Sequence, residues 1–248
     1  MVKRDDLAVY CHQLLNVDDF HDYAPNGLQV EGRETIHTLI TGVTASRALI
    51  ERAIALKADA IMVHHGWFWK GEPAPLTGMK GARVRLLMQH DISLFAYHLP
   101  LDAHPELGNN AQLGKLWELT DETADPASLL RIGRLCEAEP IEDFLLRIER
   151  TLGRAPLHLP GGPARVERIA WCSGAAQKML PKAAAWGADV FVSGEVSEQT
   201  FHEAAELGVH YVAAGHHATE RVGIQALGAY LEVDFDLNVH FVDLVNPV

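Results

Sequence analysis

The sequence predicts an α/β protein made of two related halves, with parallel or mixed sheets packed face to face. Three observations carry that expectation. Apolar runs of strand length alternate with longer runs of helical period along the 248 residues. A pattern of strand, helix, Ala-Asp, apolar strand and polar exit occurs twice, from Gly42 to His65 and from Cys172 to Glu195. Four apolar runs end abruptly in polar clusters: His64-His65, His98 with Asp102, Glu195, and His216 with Glu220. In open α/β sheets, ligands collect beyond the carboxyl ends of the strands.

In chain order, Asp5 to Leu15 reads as a helix with Leu7, Tyr10 and Leu14 on one face, and Asp22 to Gly27 as a turn-rich link. Thr38 to Val43 is a buried strand, followed by a helix from Ser46 to Lys57 and a strand from Ala58 that ends at His64-His65-Gly66. A helix from Lys80 to His90 leads to a strand from Ile92 to Tyr97, and Asn109 or Asn110 can cap a short helix through Trp117. Leu129 to Leu135 reads as a strand, Ile141 to Leu152 as a helix, and Leu157 to Pro163 as a break. The second copy runs through a strand from Val166 to Cys172, a helix from Ala175 to Trp186 and a strand from Ala188 to Ser193. Ser197 can cap a helix closed by Gly208, whose φ freedom suits a helix exit. The strand from Val209 to Ala214, a helix from Thr219 to Leu231 and a strand from Val239 to Leu244 complete the chain. These boundaries give a first half over residues 1–120, a connecting insertion over 121–163 and a second half over 164–248.

The formal net charge of -12 argues against a nonspecific nucleic-acid or anionic-membrane surface. No uncharged apolar run approaches the roughly 20 residues that span a bilayer, and Met1 to His12 lacks the apolar core of a signal peptide. Cys11, Cys136 and Cys172 are odd in number and widely spaced, which favours a reducing, cytoplasmic setting over a disulfide framework.

His216 and Glu220 share one face of a first helical turn, an arrangement that can hold a divalent metal. A mixed His, Asp and Glu set suits zinc, iron or manganese rather than calcium. His64 and His65 are adjacent, and successive side chains of an extended strand point to opposite faces. They can each serve a different ion if a carboxylate bridges two nearby metals. Two such ions can activate a water and stabilise charge on the attacked group.

Val63-His64-His65-Gly66, His98-x-x-x-Asp102, Ser193-Gly194-Glu195 and Gly215-His216-x-x-x-Glu220 together resemble the dinuclear metal centre hexameric family, whose members carry the name GTP cyclohydrolase 1 type 2 homologues. The likeness extends from Asn26 to Glu220, and the chain length matches the compact bacterial form. The resemblance implies two α/β halves around a dinuclear site and a toroidal homohexamer. It makes His64, His65, Asp102, His216 and Glu220 the metal ligands, with Glu220 the candidate bridge. His98 and Glu195 match positions near the site and are the expected proton-shuttling, catalytic residues. The activity implied is a metal-dependent hydrolysis of a small molecule, on the family name a purine nucleotide opened in its imidazole ring. Leu99-Pro100 replaces the Thr-Asn of many relatives, and Pro25-Asn26 replaces a commoner Asp-Asn-Val. Both departures leave the ligands in place and bear on substrate preference.

Plainer readings stand beside these. Glu195 can orient a ligand histidine instead of acting as a base. Trp67, Phe68 and Trp69 serve equally as loop packing or as a stacking surface for a nucleobase. His104 and His217 fall outside the ligand set, Arg221 can pair with a carboxylate, and Gly161-Gly162 lacks a phosphate-loop context. A metal-containing ring that binds nucleic acid or a protein partner without turnover is the alternative function, and metal storage a third.

Overall fold

The computed structural model describes residues 1–125 and 128–248. In chain order the elements are β1 (Val2–Lys3), α1 (Arg4–Leu14), β2 (Gly27–Val30), β3 (Thr35–Ile36), β4 (Thr38–Thr44), α2 (Arg47–Ala55), β5 (Ala60–His65), α3 (Gly78–Gln89), β6 (Ser93–Ala96) and α4 (Leu99–Ala103). There follow α5 (Asn109–Leu116), β7 (Thr120–Asp121), β8 (Arg131–Pro140), α6 (Ile141–Leu152), β9 (Leu157–Leu159) and β10 (Arg165–Trp171). The last are α7 (Leu180–Ala185), β11 (Val190–Ser193), α8 (Thr200–Leu207), β12 (His210–Ala213), α9 (His216–Phe235) and β13 (Asn238–Phe241). The chain is α/β, as its alternating pattern predicts. It divides into one compact unit of Met1–Leu101 with Gly223–Val245 and another of Asp102–Val222 with Asn246–Val248. No helix among the described residues is long and apolar enough to cross a membrane.

The first unit is built on a sheet of order β13-β4-β5-β6-β2. Its first four strands are parallel, and β2 closes the edge antiparallel to β6. Ile40, Ile61, Val63, Leu94 and Ala96 pack under Leu49 and Ile50 of α2 and Val84 and Leu87 of α3. The inner strands β4, β5 and β6 are almost wholly buried because helices cover parallel sheets on both faces. Ser46 Oγ accepts the Leu49 N–H at 3.2 Å and caps α2. On the other side, Gly228 of α9 lies so near Thr41 and Val239 that a Cβ there would stand 3.0 and 3.2 Å from them.

The second unit carries a sheet of order β7-β8-β10-β11-β12-β9. The strands β10, β11 and β12 are parallel, and β8 and β9 flank them antiparallel. Strand alternation sorts its core into two layers. Ile169, Trp171, Val190, Val192 and Val212 pack with Phe144, Ile148 and Leu152 of α6. Ala170, Phe191, Tyr211 and Ala213 pack with Leu180, Ala183 and Ala204. The segment 121–163, which the sequence pattern marks as an insertion, supplies β8, α6 and β9 to this unit. Leu157–Leu159, expected as part of a break, is its edge strand, paired with β12. Short edge strands lack the apolar signature of buried ones, which explains why the pattern there shows only the Pro-Gly-Gly-Pro turn.

The repeated Ala-Asp is a structural joint. Asp59 Oδ2 accepts the N–H groups of His37 and Thr38 at 2.8 and 2.9 Å. Asp189 Oδ2 accepts those of Glu167 and Arg168, both at 2.9 Å. The backbone of each aspartate also links the preceding strand to the following one, Thr38 to Ser93 and Arg168 to His210. Asp59 further pairs with Arg33 at 2.8 Å. Asp59→Ala leaves two enclosed N–H donors without their acceptor, so it is expected to lower stability by about 2 kcal/mol, with Asp59→Asn milder because its carbonyl still accepts. Chemical denaturation midpoints measure this; equal loss in both variants would contradict the acceptor role.

A histidine pair ties β9 to β12. His210 Nε2–H donates to the Pro163 carbonyl at 2.9 Å, so His210 Nδ1 is the acceptor for His158 Nε2–H at 3.0 Å and for the Gly161 N–H at 3.3 Å. Burial, and then the His210 charge, lower the His158 pKa, while Glu142 opposes them. A lowered histidine pKa means that the fold favours the neutral ring. The contribution is whole above the ordinary value of 6.5 and is lost as pH falls below it. Melting temperatures taken in chelator from about pH 8 to pH 5 are expected to fall more steeply for the native chain than for His158→Gln.

Candidate metal centre

In the first unit the parallel strands β5 and β6 end beside each other. The β5–β6 ladder stops at Val63↔Ala96, one residue short of His64. His64, fully buried, turns its ring so that Nδ1–H donates to the Tyr97 carbonyl at 3.0 Å. A carbonyl can only accept, so the lone pair of the neutral ring lies on Nε2. His65 Nδ1 lies 3.3 Å from Thr44 Oγ1. His98 Nδ1 lies 2.9 and 3.2 Å from the two oxygens of Asp22.

His64, His65 and His98 each bring one ring nitrogen within 4.8 Å of the others. Their ring centroids are 4.6, 5.1 and 5.7 Å apart. The alternation of an extended strand therefore does not separate His64 from His65. At the last two residues of β5 the ladder toward β6 has ended, and the rings converge. His98 belongs to the same imidazole cluster.

Asp22, read in the sequence only as part of a turn, is the organiser of this corner. Besides His98, it accepts N–H groups from Tyr23 at 2.7 Å, Ala24 at 3.2 Å and Leu99 at 3.0 Å, and the Asn26 amide at 3.0 Å. Asn26 Oδ1 in turn accepts the His98 backbone N–H at 2.7 Å. Burial works to raise the Asp22 pKa, but the His98 and Asn26 hydrogen bonds, the His98 charge and the Leu99 N–H hold it well below the usual carboxylate range. No local signal marks Asp22 in the sequence, because its partner lies 76 residues away.

In the second unit, Asp102 and Glu220 are both buried, 6% and 3% exposed. Asp102 Oδ1 accepts from Ser173 Oγ at 2.7 Å and Asn109 Nδ2 at 2.9 Å. Gly108, not Asn109 or Asn110, is the N-cap of α5. The two asparagines are buried and committed elsewhere, with Asn110 Oδ1 accepting the Ser173 N–H at 2.8 Å. His216 opens α9 after Gly215, whose φ of 100° makes the turn from β12. His216 Nδ1 lies 2.7 Å from Glu195 Oε1, and Nε2 lies 3.1 Å from Glu220 Oε1. Burial opposes protonation of His216, but Glu220 and then Glu195 outweigh it and raise its pKa to about 9. Burial and the charges of Asp102 and Glu220 push the Cys172 thiol upward.

These groups suit a divalent cation. Enclosed carboxylates require positive charge nearby, and without an ion the protonated His216 supplies it. A cation can replace the Nε2 proton while Nδ1–H stays on Glu195, the arrangement by which outer carboxylates orient metal-binding histidines. Gly174 makes room for it. A Cβ there would stand 2.3 Å from Glu220 Oε1 and 3.2 Å from His216 Nε2, and its φ is +63°.

Other candidates have structural duties. Trp67 is buried, with Nε1–H on the Ala45 carbonyl at 2.9 Å. His104 Nδ1 accepts the Glu106 and Leu107 N–H groups at 3.2 and 3.0 Å. Arg221 donates to the Leu152 carbonyl at 2.6 Å. Gly161 and Gly162 sit where a Cβ would meet backbone oxygens at 2.3 and 2.5 Å, a packing requirement. The three cysteines are free thiols.

Fold and donor sets define an α/β protein with residue groups able to hold a metal ion. Residues 2–247 match the sequence profile of Duf34/NIF3 (NGG1p interacting factor 3), and the chain belongs to that family. A Yersinia pestis protein named "GTP cyclohydrolase 1 type 2 homolog" is 53% identical over 245 residues, covering 98% of each chain. A solved structure described as "protein ybgI, unknown function" matches with a TM-score of 0.96 at 50% identity, covering 100% of both chains. A second solved structure, TTHA1606 from Thermus thermophilus, matches with a TM-score of 0.92 at 37% identity, again over 100% of both.

Gly174→Ala is expected to displace the Glu220 carboxylate and adds left-handed strain of about 1 kcal/mol. Elemental analysis should show most bound metal lost from a chain that still melts cooperatively. Full metal content in that variant would remove Glu220 from the ligand set.

Proposed function

We propose that this chain is a metal-dependent hydrolase in which His64, His65, Asp102, His216 and Glu220 hold two divalent ions, zinc, iron or manganese, with Glu220 shared between them. The observation that supports it best is common to four imidazoles. Each of His64, His65, His98 and His216 turns Nδ1 toward a protein oxygen, from Tyr97, Thr44, Asp22 and Glu195 respectively. Histidines prepared to bind metal through Nε2 have this outer partner almost without exception.

When bound, such ions supply Lewis acidity and a water acidic enough to ionise near neutral pH. The chain's own groups do the rest. Glu195 fixes the His216 ring, and Ser173 and Asn109 fix the Asp102 carboxylate. His98, whose Nδ1 is held by Asp22, is the residue we assign to accept and return a proton at Nε2. The names of the relatives and the motif resemblance favour a purine nucleotide, hydrolysed in its imidazole ring. The same resemblance favours a toroidal homohexamer, which sedimentation mass tests directly.

The test is turnover with metal counted alongside it. Protein loaded with zinc, iron(II) or manganese is assayed on GTP, other nucleotides and phosphoesters. His216→Ala is expected to lose metal and activity together. His98→Gln is expected to keep two ions per chain and lose about a hundredfold or more in kcat, the usual worth of a general acid–base group. Substrates left unchanged by the native chain with every metal would refute the hydrolase, and a ceiling of one ion per chain would refute the shared carboxylate.

A further inference from the structure

The loop after β5 carries an arrangement that metal binding alone does not require. Gly66 to Pro73 is held from several directions. Gln29 Nε2 donates to the carbonyls of Pro25 and Trp67 at 2.8 and 3.1 Å, and its Oε1 accepts the Trp67 N–H at 2.8 Å. Lys70 N–H donates to the Tyr23 carbonyl at 2.8 Å, fastening this loop to the Asp22 turn. Phe68 sits at φ 65°, a conformation that bulky residues adopt at a cost and that gathers at ligand clamps. The loop fixes Trp69 beside the imidazole cluster, 5.9 Å from His65 and 5.0 Å from His98 between ring centroids. Tyr23 reaches the same place from the other segment, 5.0 Å from His98 and 5.5 Å from Trp69.

Tyr23 and Trp69 are tilted only 35° from each other, and both stand nearly perpendicular to His98, at 78° and 82°. The indole N–H of Trp69 is spent on the Gly66 carbonyl at 3.1 Å, so that side chain offers its π surface and no donor. The two rings touch, so no flat guest fits between them. Tyr23, however, is 55% exposed. Large aromatic rings that solvent can reach serve as anchors of recognition sites. A cationic guest is disfavoured, because the neighbouring imidazoles are the expected seat of divalent ions.

We propose that Tyr23 and Trp69 form a stacking wall that receives the flat heteroaromatic part of the substrate, a purine-like base, and sets it beside His98. This rests on the reading of the site as a hydrolase centre and adds to it the residues that would hold the base. Tyr23 and Trp69 act as specificity-determining residues. Trp69 packs beside His65 but neither ring supplies a metal-binding atom.

The experiment measures binding without turnover. Guanosine, adenosine, ribose 5-phosphate and choline are titrated into metal-loaded protein by calorimetry, with tryptophan quenching as a second readout. Guanosine or adenosine is expected to bind and to quench Trp69. Tyr23→Leu and Trp69→Leu should each weaken that binding by about tenfold, the usual worth of one aromatic–base contact, whereas Trp69→Phe should retain most of it. Metal content should be unchanged in all three, and the exposed Tyr23 provides a variant that does not threaten the fold. The wall is overturned if neither nucleoside binds, if both leucine variants bind as the native chain does, or if choline or ribose 5-phosphate shows the same losses. Failure of the hydrolase reading is separate: nucleosides would bind through these two rings while no substrate turned over with any metal. Turnover of a phosphoester with no nucleoside binding would sink the wall and leave the hydrolase standing.

Discussion

Two carboxylates hold the strands in step. Asp59 accepts a pair of backbone N–H groups at the start of β4 and hands the chain directly into β5, and Asp189 accepts a pair inside β10 and hands the chain into β11. A one-residue slip in a parallel strand would move every side chain to the opposite face. By fixing where β5 and β11 begin, these joints fix where they end. His65 and Glu195 stand at the same distance beyond their respective aspartates. The chemistry of the site is thus a consequence of register, and the repeat visible in the sequence is the repeat of the joint.

Past the strand ends a second constraint takes over. A histidine ring has two nitrogens, and its use as a ligand depends on the occupation of the other. Here that occupation is assigned by groups of different kinds: a backbone carbonyl for His64, a hydroxyl for His65 and carboxylates for His98 and His216. The partners come from turns and neighbouring strands rather than from the motif itself. Rigid elements therefore place each ring, and less regular segments orient it.

That division explains what the sequence disclosed. Buried strands and the amphipathic α6 were legible because burial imposes a period, and Ile141–Leu152 is helical over the span its apolar spacing predicts. The strand-exit residues stood out because polar groups that end apolar runs are conspicuous, and of these His64, His65 and His98 gather within the first unit. Asp22 was not, since its role depends on a contact made across the unit with His98, and nothing in Asp-Tyr-Ala-Pro-Asn distinguishes it from an ordinary turn. Asn109 and Asn110 were misread for a related reason. Their residue type favours helix caps, but burial beside Asp102 commits their amides to the site region. The edge strand β9 escaped because three residues cannot establish a period.

Cys172 has a consequence of a different kind. It is a soft donor in an apolar cluster, and burial first, then the charges of Asp102 and Glu220, disfavours its thiolate. A thiol binds metals poorly where a thiolate binds them tightly. A buried sulfur held as the thiol is a weak attractor of thiophilic ions such as copper(I), so burial and the two carboxylates act on it in the same direction.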